Sequence, residues 1–200
     1  MTNTKEIIQK SITDSFSSSE YSNMMQDYAK EGKTTGEQKE DLIYYTKLNA
    51  QRSKRIGKTV KLKDDLVNQI SSIQEKQNWI LITESWCGDA ANGVPVLSAI
   101  SELNDNIDLR MVLRDTNPEL MDKFLTNGGK SIPKLIVTDD QFEVLFTWGP
   151  RPKTAQELYD GWRKDENKIP YKEFQVELQK WYNEDGGQSM QDEMLELLSR

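Results

Sequence analysis

Histidine is absent from this 200-residue chain, and cysteine occurs once, at Cys87. The first absence removes the Ser-His and Cys-His pairings that activate many protein nucleophiles. It also removes every histidine-ligated metal site, and one cysteine supplies no structural zinc site; no metal centre is expected. A single cysteine excludes an intramolecular disulfide and suits a reducing, cytoplasmic setting. Phosphate-cradling glycine motifs and calcium loops are missing too. No apolar run approaches the length of a membrane span, and residues 1–16 lack the basic-then-apolar order of a secretory leader, so no membrane partner is expected. Cations are in the minority, 26 Lys and Arg against 33 Asp and Glu, and the net charge of -7 argues against nucleic acid as a partner.

What is present suffices for one core. Hydrophobic residues make up 36% of the chain, and this length corresponds to one domain with elaborations. Residues 1–76 read as helical and polar. Leu42, Tyr45, Leu48 and Asn49 form an apolar stripe at helical spacing, and Leu66, Val67, Ile70 and Ile73 form a second. A short strand is predicted over 59–62, and 32–36 reads as a turn. From Trp79 onward strands and helices alternate, the pattern of an α/β layer fold. Strands are predicted at 79–83, 109–113, 134–138 and 143–147, the last two as a hairpin. Helices are predicted between them, over 118–125 with Asn117 as its cap, and at 154–162, 171–182 and 188–198. Seven cations and no acid lie between Lys47 and Lys63. We read them as a solvated face docked against the acidic tail of Glu184, Asp185, Asp192, Glu193 and Glu196 rather than as a partner site.

Residues 79–90 read Trp-Ile-Leu-Ile-Thr-Glu-Ser-Trp-Cys-Gly-Asp-Ala: an apolar strand, a Trp-Cys-Gly turn and the start of a helix. Pro95 follows the cysteine inside that helix, and Ser131-Ile132-Pro133 precedes a later strand. This order and these motifs resemble the thioredoxin family over residues 59–166. The strings Gly-Gly-Lys-Ser-Ile-Pro at 128–133 and Trp-Gly-Pro-Arg-Pro at 148–152 are similar to a bacterial subfamily of single-cysteine thioredoxin-like proteins with a helical N-terminal extension. The resemblance implies a thioredoxin-like mixed sheet flanked by helices. A helical N-terminal extension at 1–58 would pack on the core, and C-terminal helices would occupy 167–200. It also implies a cis Ile132–Pro133 peptide beside a reactive sulfur. Three family features are missing: the resolving cysteine is Ala90, the proline before it is Asp89, and the buried acid that precedes the nucleophile is Leu81. Reduction through an internal disulfide is therefore excluded.

The topology carries the remaining candidates to one rim. A strand parallel to 79–83 ends beside Cys87 and delivers Arg114; the Ile132-Pro133 turn and the return at Trp148 and Arg151 reach the same edge. Trp86, Gly88, Asp89, Arg114, Ile132, Pro133, Trp148 and Arg151 are the predicted substrate-binding residues around a catalytic Cys87. Such a set suits a peptide or an anionic small thiol such as glutathione. A helix N-terminus favours the thiolate by about 0.3–1 kcal/mol, and Asp89 opposes it by about 1 kcal/mol, so a third group must decide its ionisation. The resemblance implies a monothiol thiol–disulfide oxidoreductase with an external resolving thiol and a protein or small disulfide as substrate. The alternative is a redox-inactive module that binds peptide or protein in the same groove. Cluster carriage is disfavoured, because Cys87-Gly88-Asp89-Ala90 does not match the Cys-Gly-Phe-Ser run of monothiol glutaredoxins. Oligomeric state and partner identity stay open.

Overall fold

The computed structural model describes residues 3–200; Met1 and Thr2 of the predicted extension lie outside the described residues. Strand β1 (Gln77–Thr83) is fully buried from Trp79 to Thr83, as its unbroken apolar run requires for a central strand. The sheet order is β2-β1-β3-β4. Strand β2 (Ile107–Leu113) runs parallel to β1, whereas β3 (Lys134–Asp139) is antiparallel to β1 and forms a hairpin with β4 (Val144–Trp148). The parallel β1–β2 pair needs a crossover, and helix α5 (Gly88–Ser101) supplies it. α6 (Pro118–Lys123) connects β2 to β3. Among the described residues the N-terminal helices are α1 (Thr4–Thr13), α2 (Ser18–Glu31), α3 (Glu40–Thr59) and α4 (Asp64–Ser71). The C-terminal ones are α7 (Lys153–Lys164), α8 (Tyr171–Asp185) and α9 (Gln188–Leu198). The α/β architecture, a mixed sheet flanked by helices, is the one anticipated.

Three local expectations are corrected. The strand at 59–62 does not form: α3 continues through Thr59, and 60–63 pairs with no strand. The edge of β2 is taken instead by Phe16, whose N–H donates to the Met111 carbonyl at 2.9 Å while the Met111 N–H donates back at 2.8 Å. Asn117 occupies the cap position of α6 without capping it, because its side-chain amide donates to the Leu113 carbonyl at 2.9 Å. On α3 the deepest face is Thr46, Asn49 and Ala50, with Leu42, Tyr45 and Leu48 only half-buried. Small and polar residues win there because α3 docks on the β1–α5 turn by hydrogen bonds. Thr46 Oγ1 lies 2.9 Å from Ser85 Oγ, Asn49 Nδ2 donates to the Ser85 carbonyl at 3.1 Å, and Ser53 Oγ donates to the Ala91 carbonyl at 3.0 Å.

The C-terminal helices divide in two. Met190 and Met194 of α9 enter the main core with Trp79, Leu97 and Leu135. Gln191 ties α9 to the link between α3 and α4, accepting from Lys63 N–H at 2.8 Å and donating to the Lys61 carbonyl at 3.1 Å. By contrast α7 and α8 form a satellite cluster of Ala155, Phe174, Leu178 and Tyr182, walled by Tyr159, Trp162, Ile169 and Trp181. The expected docking of basic segment on acidic tail contributes one ion pair, Lys63–Asp192, beside an Arg55–Asn183 hydrogen bond. Two other tail acids serve elsewhere. Asp185 bonds Ser189 at the start of α9, and Glu193 accepts from Trp148 Nε1 and from Lys153 N–H, each at 2.6 Å.

Candidate functional site

Cys87 stands at the N-cap of α5, where an apolar strand ends and the chain turns into a helix. Its thiol is buried, with the residue 8% exposed. Sγ–H donates to the Ile132 carbonyl at 3.3 Å, and the Ala90 N–H points at the sulfur at 3.5 Å. Burial pushes the Cys87 thiol up to about 12, the Asp89 charge adds to the rise, and the Ala90 N–H and Arg151 oppose it. The Ile132–Pro133 peptide beside it is cis, as is Gly149–Pro150.

The third group that the sequence left open is Arg151, and it acts mainly on Asp89. Arg151 Nη2 lies 2.6 Å from Asp89 Oδ2, both side chains being 10% exposed. Tyr182 of α8 donates its hydroxyl to Asp89 Oδ1 at 2.9 Å. Burial raises the Asp89 carboxyl, and Arg151 and the Tyr182 hydroxyl pull it back. Arg151 is fixed in turn by Gln156 at 3.1 Å and by the Tyr159 ring 4.2 Å below its guanidinium. The same desolvation, with the Asp89 charge, holds the Tyr182 phenol well above its ordinary value.

Outside this buried group opens a cleft of about 400 Å³ whose floor includes Cys87, Gly88 and Asp89. The core contributes Trp86, Arg114 and Ile132 to one wall. Arg114 lies over the Trp86 ring at 4.8 Å and pairs with Asp115 at 2.8 Å, so the ion pair and the site-edge placement both hold. The other wall comes from α7 and α8, through Gln156, Tyr159, Arg163, Tyr171 and Gln175. Among the described residues no group of three His, Cys, Asp or Glu side chains gathers to hold a metal ion.

Of the predicted site residues, the structure brings Trp86, Cys87, Gly88, Asp89, Arg114, Ile132 and Arg151 to this cleft. It does not bring Trp148 or Pro133. Trp148 is 5% exposed and packed in the core, because the last position of β4 faces α9, where Glu193 takes its indole N–H. Pro133 is buried behind the rim, and the backbone of Gly149 presses so closely on its carbonyl that a Cβ at Gly149 would collide with it. Sequence reasoning missed the α7–α8 wall. Gln156, Tyr159, Asp160 and Arg163 recur at the spacing of one helical face, but nothing local shows that this face meets Cys87. Glu84 was missed as well. The residue lies outside the cleft lining and is 1% exposed; its Oε1 accepts from Asp115 N–H at 2.8 Å, its Oε2 has no partner among the described residues, and burial raises its carboxyl. Its position directly after an apolar strand was the available signal.

Comparison with known proteins agrees with the fold. Two solved structures share the fold, each at 16% identity. One is a protein of unknown function from Pseudomonas aeruginosa, with a TM-score of 0.55 over 78% of this chain and 84% of that one. The other is an HIV epitope scaffold, with a TM-score of 0.54 over 87% of this chain and 96% of that one. No curated protein matches. A family profile described as Thioredoxin matches residues 35–167, well over half of the 200 residues and inclusive of the Cys87 turn, the sheet and α7. The chain belongs to the thioredoxin family.

Proposed function

We propose that this protein is a thioredoxin-fold binding module that holds a peptide or protein segment in the Cys87 cleft without thiol–disulfide exchange. The observation that carries the reading is the state of the sulfur: buried, donating to the Ile132 carbonyl, and pushed up to about 12. The attacking species in exchange is the thiolate. With the thiol pushed up to about 12, against about 9 for an ordinary cysteine, the thiolate is scarce at neutral pH. A loss of that size outweighs the fraction of a kcal/mol supplied by the helix N-terminus. Of the two readings that the sequence raises, this favours the binding module over the monothiol oxidoreductase. A cytoplasmic location remains part of the proposal, because a reducing compartment keeps a lone thiol reduced.

One observation favours the second reading. The Ala90 N–H already faces the sulfur, and Arg151 is near enough to lower its pKa. A partner that displaced Asp89 and opened the cleft would leave a site suited to a thiolate, with glutathione or another small thiol as the resolving species. The rate of iodoacetamide alkylation of the native protein against pH separates the two. We expect slow reaction with no inflection below the free-thiol value of about 8.5. Fast reaction with an apparent pKa well below that value would replace the binding reading with monothiol exchange.

A further inference from the structure

We infer that the Cys87 cleft is selective for acidic peptide segments, with carboxylates seated on Arg114 at one wall and Arg163 at the other. The inference rests on the binding reading above and names its ligand class. The lining carries four cations, Arg114, Lys130, Arg151 and Arg163, against two acids, Asp89 and Asp160. Asp115 and Asp122, just outside the lining, pair with Arg114 and Lys130, so the cleft and its rim are charge-balanced on a chain whose net charge is -7. In such a concave site a guanidinium without a counter-ion among the described residues, as at Arg163, draws a ligand of the complementary charge.

The four cations are not equally available. Arg151 is committed to Asp89 and stays with the framework. Arg114 and Lys130 each hold one acid from outside the lining, Asp115 at 2.8 Å and Asp122 at 2.7 Å. Lys130 and Asp122 are both more than half exposed, and a solvent-screened pair of that kind is worth about 0–1 kcal/mol, so a ligand carboxylate competes with it. Arg163 makes no ion pair among the described residues, and its guanidinium lies 5.9 Å from the Tyr159 ring. Arg114 is pre-oriented by its stack on Trp86. Its Nε donates to Asp115 at 2.8 Å and its Nη1 to the Lys130 carbonyl at 3.5 Å, so a ligand carboxylate gains the bidentate Nε/Nη2 edge by displacing Asp115.

The rest of the cleft suits a peptide. Trp86 and Tyr171 supply flat apolar area, Tyr171 packing on the Trp162 ring at 5.3 Å and staying 47% exposed. Arg114 belongs to the sheet side and Arg163 with Tyr171 to the satellite helices, so a ligand that meets both spans the cleft. The volume of about 400 Å³ accommodates a few residues of chain rather than a folded surface.

The test uses the full chain, titrated calorimetrically with three N-acetylated, C-amidated hexapeptides of the pattern X-Leu-X-X-Leu-X, where X is Glu, Gln or Lys. The Glu peptide is expected to bind at least about tenfold more tightly than the Gln peptide and to weaken as salt rises. Arg114→Gln and Arg163→Gln should each cost about tenfold, and Arg163→Glu should turn the preference toward the Lys peptide, with thermal melting confirming that each variant folds. Equal binding of the Glu and Gln peptides overturns the inference and leaves the binding reading standing. Competition by free succinate as strong as by the Glu peptide overturns the peptide as occupant. If none of the three peptides binds, the inference is overturned, and the Cys87 alkylation profile decides separately whether the binding reading falls with it.

Discussion

At the scale of single residues, the chemistry of Cys87 is set by what covers it. The helix N-terminus offers an N–H to the sulfur, but desolvation dominates, and the thiol stays protonated up to about 12. Asp89 does not simply repel a thiolate, because it is the buried counter-ion of Arg151. Removing one partner of such a pair strands the other charge at a cost of about 3–5 kcal/mol, which ties Asp89 to the framework as much as to the site. The pH dependence follows from the raised thiol. Below about 9, its ordinary value, the thiol is protonated whether the chain is folded or not; between 9 and about 12 the unfolded chain loses this proton and the folded one keeps it. The unfolded state then binds fewer protons, so stability falls as pH rises through that window, by a few kcal/mol at most. The buried phenols of Tyr21 and Tyr182 are also raised, and add to the same alkaline loss above about 10. Urea midpoints measured from pH 7 upward should decline beyond about 9, and Cys87→Ala should shallow the decline. Identical slopes for the two proteins would contradict the burial of the thiol. The Trp-Cys-Gly turn was legible in the sequence because residue type and order define it. The thiol's environment was not, since it depends on Ile132, Arg151 and Tyr182, each distant along the chain.

At the scale of elements, periodicity located most helices and strands, and α9 was anticipated over the very residues it occupies. Periodicity did not show which face would be buried most deeply. In α3 a polar strip of Thr46 and Asn49 lies deepest because it satisfies the backbone and side chain of Ser85. The segment 59–62 alternates like a strand, yet strand formation needs a partner edge, and Phe16 already occupies β2. The helices α8 and α9 should differ sharply under mutation. Met194 is 0% exposed in the main core, so Met194→Ala should cost about 2–5 kcal/mol in urea unfolding. Val176 on α8 is 70% exposed, and Val176→Ala should stay within about 0.5 kcal/mol. Similar losses for both would mean that α9 is not the core element described here.

At the scale of the whole molecule, the N-terminal helices close a sheet that would otherwise end in an open edge. Ile7 and Ile8 are buried in the main core, and Phe16 pairs with Met111. Deletion of residues 1–17 should therefore lower the melting temperature and expose the N–H and C=O groups of β2, a template for association. Size-exclusion elution should shift with concentration for the truncated chain; unchanged melting and elution would show that α1 and Phe16 are dispensable. No helix among the described residues is long and apolar enough to cross a membrane. By itself the sequence determined the α/β class, the order of strands and helices from Trp79 onward, the Trp-Cys-Gly turn and the exclusion of an internal disulfide, because these depend on residue type and on spacing along the chain. Only the tertiary structure decided that Trp148 turns into the core, that Arg151 neutralises Asp89, and that α7 and α8 wall the cleft. Those outcomes rest on burial and on contacts between segments far apart in the chain, where desolvation and ion pairing are decided by three-dimensional neighbours rather than by sequence neighbours.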